Sequence, residues 1–123
     1  MEEQRNLTQD DVLDLIGGEG FPEQPLGAKV IITLNRDEPD GNLVLSENVM
    51  SEVQFIVAKG AMVRDVEVGQ KVRIDIEKMM VTVGTAQYDT HEPIRQIRID
   101  PIVVDGVMYG IIEDRLIKTK VLR

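Results

Sequence analysis

His91 is the only histidine of this chain, and it stands in Tyr88-Asp89-Thr90-His91-Glu92-Pro93 between two carboxylates and two hydroxyls. These are the residue types of general acid–base catalysis, and together they could hold a divalent cation weakly. Their order, polar groups crowded before a proline, is that of a solvated surface loop, and metal sites draw ligands from more than one element. Asp37-Glu38-Pro39-Asp40-Gly41-Asn42 supplies carboxylates for calcium but lacks the spaced Asp/Asn positions and closing Glu of an EF-hand loop, so it reads as a turn. Gly17-Gly18-Glu19-Gly20 has the glycines of a phosphate cradle without the preceding strand and following helix that would use them, and reads as a linker. No GxSxG, GxxxxGK or GxGxxG motif occurs, and there is no cysteine to serve as nucleophile, disulfide partner or thiolate ligand. The expectation is a protein that is not an enzyme and has no catalytic residues, metal site or cofactor.

Charge narrows the partners. The chain has 123 residues and a formal net charge of −8. Nucleic acid is excluded, because a phosphate-binding surface needs clustered Lys and Arg. The acids are concentrated at the start, where Glu2, Glu3, Asp10, Asp11, Asp14, Glu19 and Glu23 face Arg5 alone. No apolar run approaches the ~18 residues of a membrane span, and the basic and apolar regions of a signal peptide are missing. Together with the lack of cysteine, this reads as a soluble, cytoplasmic protein with no membrane partner.

The elements that must position any functional group are mostly strands. Hydrophobic residues make up 42% of the chain but aromatics only 3%, so Val and Ile have to fill the core, which favours β structure. One helix is expected: Thr8 can cap it, Asp11 sits three residues on, and Val12, Leu13, Leu15 and Ile16 form an apolar face before Gly17-Gly18. A helix of two turns is too short to stand alone and must dock on its own body, a neighbouring subunit or a partner. Gly17, Gly18, Gly20, Pro22 and Pro25 then form a linker.

Strands are expected at Val30-Ile31-Ile32 with Leu34, at residues 53–58, and at Val66-Glu67-Val68, joined through a Gly69 turn to a strand with Val72, Ile74 and Ile76 on one side. That alternation implies one buried and one wet face. Residues 81–83 and 94–99 continue the series. Asp105-Gly106, between Ile102-Val103-Val104 and Val107-Met108-Tyr109, is a two-residue hairpin signal, because both central positions of a type I′ turn need positive φ. A last strand covers residues 116–122. Short strands at close spacing indicate an antiparallel sandwich or a small barrel in a single domain.

One stretch is left over. Leu43-Val44-Leu45 follows seven residues, from Arg36 to Asn42, that cannot pack a core. Either it is an ordinary strand with at least one residue pointing outward, or it is a loop tip that offers all three side chains to a partner.

The layout as a whole resembles the GroES-like co-chaperonin family. Pro25-Leu26-Gly27-Ala28-Lys29-Val30-Ile31-Ile32 is similar to the family's opening, and Asp40-Gly41-Asn42-Leu43-Val44-Leu45 to the Gly-Gly-Ile-Val-Leu end of its mobile loop. Phe55-Ile56-Val57-Ala58-Lys59-Gly60 resembles its Val-x-Ala-Val-Gly strand end, and residues 65–72 its Val-Lys-Val-Gly-Asp-Lys-Val turn. Residues 104–117 resemble its closing hairpin and acidic turn. The likeness runs in order over residues 24–122.

The chain departs from the family in four places. The loop before Leu43 is short, the roof hairpin is reduced to Ala61-Met62-Val63-Arg64, residues 77–96 are inserted or diverged, and the acidic arm has no counterpart in ordinary bacterial members. Such divergence is met in phage-encoded relatives.

The resemblance implies an all-β fold: a small GroES-like antiparallel β-barrel over residues 24–123, preceded by a short, acidic N-terminal helical arm over residues 1–23. It implies a homo-oligomeric ring, usually a heptamer, that caps a chaperonin folding chamber. Leu43, Val44 and Leu45 would dock in a groove of a GroEL-like chaperonin ring, and Gly41 would give backbone freedom. ATP hydrolysis would belong to that partner. The alternative is a phage structural or assembly protein that uses the barrel, the arm and the 77–96 segment to contact other subunits and other virion proteins.

Overall fold

The computed structural model describes residues 6–37, 50–85 and 93–122. In chain order it contains α1 (Gln9–Gly17), β1 (Lys29–Thr33), β2 (Val53–Lys59), β3 (Lys71–Ile74), the single helical turn α2 (Ile76–Met79), β4 (Met80–Thr85), β5 (Pro93–Ile97), β6 (Asp100–Val104), β7 (Val107–Glu113), a 3-10 turn at Asp114–Leu116 and β8 (Ile117–Lys120). Six strands form one antiparallel sheet in the order β6-β7-β1-β2-β3-β8, and β4 with β5 forms a separate two-stranded ribbon. Among the described residues no ladder joins β6 to β8, and no helix is long and apolar enough to cross a membrane.

The two central strands are mainly apolar because they are buried on both faces. Val30 and Ile32 of β1 point to one side with Ile56, Val72, Ile74 and Ile112, where Val63, Val66 and Met79 close the layer. Ile31 points to the other side with Phe55, Val57 and Tyr109, where Val12 of α1 closes a second layer. A bulge accommodates the change of register: Ile31 lies opposite Ala58 and Ile32 opposite Ile56, leaving Val57 as the extra residue.

α1 begins where the sequence places it. The Thr8 hydroxyl accepts from the Asp11 amide, and the Asp11 carboxylate accepts from the Thr8 amide, closing a capping box that satisfies two orphan donors. Of the three docking places open to so short a helix, α1 takes its own body. Val12 is fully buried against the sheet, with Leu7, Leu15 and Ile16 half-buried beside it. The linker is packed as well: Phe21 stacks edge-on against Tyr109 with ring centroids 4.9 Å apart, and the Gln24 amide donates to the Lys59 carbonyl at 3.2 Å.

Several expected strands change; the last, expected over residues 116–122, spans only Ile117–Lys120, because Leu116 belongs to the 3-10 turn. Val66-Glu67-Val68 is not a strand: Gly69 donates to the Ile56 carbonyl and Gln70 accepts from the Ile56 amide, so the turn itself takes the middle of β2, next to the residues that pair with β3. β3 stops at Ile74 because the Asp75 carboxylate caps α2, accepting from the Lys78 amide. Val72 and Ile74 are fully buried as expected, but Ile76 reaches the same core from the helical turn. The strand expected over residues 94–99 ends at Ile97, and the Arg98 amide then bonds the Met79 carbonyl at 2.8 Å, so the ribbon leaves and rejoins the fold at one point. The Asp105-Gly106 hairpin forms with φ of 51° and 79° at its two central residues.

Candidate functional site: the root of the β1–β2 connection

The residues singled out for partner binding, Gly41, Leu43, Val44 and Leu45, lie outside the described residues, as does His91. Their flanks are well defined. β1 and β2 are adjacent and antiparallel, so residues 38–49 leave from the end of one central strand and return to the start of the other. The exit and the return meet in a bridge between Arg36 and Met50, reinforced by the Ser51 amide donating to the Asn35 carbonyl at 2.9 Å.

A buried amide builds this root. Gln54 sits inside the apolar run of β2 and is fully buried, yet every hydrogen-bonding position of its side chain is used. Its Oε1 accepts from the Thr33 hydroxyl and from the Asn35 amide, both at 2.8 Å. Its Nε2 donates to the carbonyls of Asn35 and Ser51, also at 2.8 Å. Thr33, equally buried, passes the network on by accepting from the Phe55 amide at 2.9 Å. The Gln54 side chain thus replaces the ladder bonds that β1 and β2 give up as they diverge, and no buried side-chain polar atom among the described residues lacks a partner.

The arm completes the root. Asn6 Nδ2 donates to the Arg36 carbonyl at 2.7 Å while its Oδ1 accepts from the Arg36 amide at 2.9 Å. One residue along each segment the roles reverse: Asn35 Nδ2 donates to the Leu7 carbonyl at 2.9 Å and its Oδ1 accepts from the Leu7 amide at 2.8 Å. Asn6, Thr33, Asn35 and Gln54 were not singled out on sequence. Gln54 alone carried a signal, as a polar residue interrupting Val53-Gln54-Phe55-Ile56-Val57.

The remaining surface is modest in chemistry. Exposed ion pairs join Lys59 to Glu67 at 3.1 Å and Arg73 to Glu52 at 2.7 Å, and such pairs add little. Arg115 bonds Glu113 and holds its carboxyl below the usual range, while burial and then the Asp105 charge push the Tyr109 hydroxyl above the usual phenol value. A cleft of about 210 Å³ lies between residues 63–66 and β8, lined by Val63, Asp65, Asp114, Lys118 and Lys120 among others. Among the described residues no three His, Asp or Glu side chains converge as a metal site would require. No protein-family model matches this chain, and no curated protein matches it.

Proposed function

We propose that this chain is a co-chaperonin-like ring protein that caps a chaperonin chamber through the segment between β1 and β2. One observation carries the reading: residues 38–49, which contain Gly41 and Leu43-Val44-Leu45, depart from and return to a single hydrogen-bonded root between the two central strands. A recognition segment placed there is tethered at both ends, through a half-buried root, to the two central strands of the sheet. The Asp105-Gly106 hairpin and the acidic 3-10 turn before β8 stand where the resemblance to the GroES-like closing pattern puts them, and in this reading β1, β2, β3, β6, β7 and β8 are the walls of a small barrel.

In this reading Leu43, Val44 and Leu45 insert into an apolar groove of the chaperonin, and Gly41 allows the approach. A tripeptide makes a weak contact on its own. Several copies in one ring raise the effective concentration of each remaining segment once the first is engaged, so the assembly holds while each contact stays reversible. The assembly reading, a phage structural protein that uses its arm and residues 77–96 to contact other subunits, is less well served at the arm, because residues 6–17 are packed on their own sheet.

Leu43→Asp tests the proposal. The variant should lose capture by an ATP-charged chaperonin in a pull-down while its own assembly, read as native mass, stays unchanged. Failure of the wild-type protein to associate with chaperonin in any nucleotide state would end it.

A further inference from the structure

Two asparagines join the arm to the root by four hydrogen bonds between segments 28 to 30 residues apart. Each side-chain amide holds both the N–H and the C=O of one residue on the other segment, which fixes the orientation of that residue's backbone as a ladder pair would. We infer that the N-terminal arm is a strap on the root of the β1–β2 connection, and that Asn6 and Asn35 are positioning residues coupling the docking of α1 to order at Asn35, Arg36, Met50 and Ser51.

The coupling follows from how the groups share partners. Asn35 is the common member: its side chain reads Leu7 of the arm, while its backbone is held by Gln54 and by Ser51. Lifting the arm removes two of the bonds that fix Asn35 and both that Asn6 makes to Arg36, so the returning segment at Met50 and Ser51 loses a rigid template. The reverse holds by linkage: a ligand that tightens the root tightens the arm. Apolar contacts alone would hold α1 on the sheet without this consequence, since Val12, Leu15 and Ile16 touch the face of the sheet rather than the root. The effect on chaperonin capture rests on the function proposed above. There, a fixed root lowers the ordering cost of docking, and the arm becomes a determinant of affinity that touches no partner.

The test is residue-resolved amide hydrogen exchange on the full chain, comparing wild type with Asn6→Ala. Asn6 is only part-buried and supports no core, so the variant should fold. The diagnostic amide is Ser51, which bonds Asn35 and not the arm. It should exchange about 10-fold faster in the variant, on the scale of one or two hydrogen bonds, with Ile32 and Ile112 unchanged. An unchanged Ser51 rate would overturn the inference, and so would equal acceleration across the whole sheet, which would mark Asn6 as a contributor to global stability alone. Asn6→Asp keeps the acceptor for the Arg36 amide and loses the donor, and should fall between the two. Asn6→Ala should also weaken chaperonin capture about 5-fold. If the wild-type protein is not captured at all, the proposed function falls while the Ser51 rate still decides the strap.

Discussion

Gln54→Leu is the sharpest probe of the buried network, because it leaves a side chain of similar bulk and deletes four hydrogen bonds at once. The Asn35 carbonyl keeps the Ser51 amide as a partner, so three groups are orphaned: the Thr33 hydroxyl hydrogen, the Asn35 amide and the Ser51 carbonyl. Thr33 is fully buried and should bear a full desolvation cost of about 2 kcal/mol, while Asn35 and Ser51 are half-buried and recover part of theirs from water. The sum is about 3 kcal/mol, a large share of the ~5–15 kcal/mol that holds a typical domain. With an unfolding entropy of about 2.1 cal/mol/K per residue, a chain of this length should melt about 10 °C lower.

Urea unfolding reads the loss directly, as a shift of midpoint at constant slope. Gln54→Glu supplies an internal control. Its second carboxyl oxygen would face the carbonyls of Asn35 and Ser51, so burial and those dipoles raise its pKa in the folded state above the unfolded value of about 4.3. The folded protein then holds the proton more tightly, and stability falls as pH rises from the unfolded pKa towards the folded one. Gln54→Glu should be markedly weaker at pH 7 than at pH 4, while the penalty for Gln54→Leu stays the same at both. A Gln54→Leu loss below about 1 kcal/mol would refute the claim that this amide organises the root.

Other consequences are as direct. A Cβ on Gly60 would run into the backbone of Gly27, which cannot yield as a side chain can, whereas a Cβ on Gly110 meets first the side-chain end of Ile99. Gly60→Ala should therefore lower the urea midpoint clearly more than Gly110→Ala. Val12→Ala should cost about 2 kcal/mol of global stability, and no change would mean that α1 is not part of the cooperative unit. Because burial and Asp105 raise the Tyr109 pKa, the contribution of Tyr109 to stability should be level below about pH 10 and decline as pH climbs through the higher folded value. Tyr109→Phe should show a smaller loss of stability than wild type between unfolding curves taken at pH 9 and pH 11.

The fold was legible wherever a local rule had no competitor. Thr8 and Asp11 form their capping box, Asp105-Gly106 turns with both φ positive, and Val72 and Ile74 face the core. Expectation failed where a side chain or a turn intercepted backbone bonds that a strand would have used, as Asp75 does at the start of α2 and Gly69-Gln70 do at Ile56 in the middle of β2. The wet face inferred from the alternation in β3 does not extend to the sheet's centre: Val30-Ile31-Ile32 and Phe55-Ile56-Val57 are apolar on both sides because α1 covers the second side. The root was the least legible part. Asn6, Asn35 and Gln54 are ordinary polar residues in sequence, and their roles arise only when contacts across 19 to 30 residues bring three amides into line.

The ribbon of β4 and β5 is a replaceable cassette. Since the Met79 carbonyl and the Arg98 amide are already bonded, its two ends are stitched together before its first and last strand residues begin. Lengthening, shortening or exchanging the connection between β4 and β5 should alter no rung of the six-stranded sheet, because among the described residues all the pairing of β4 and β5 is internal to the ribbon. Variation can therefore accumulate there under its own selection, and foreign sequence can be grafted there, while the strands that carry the root keep their register.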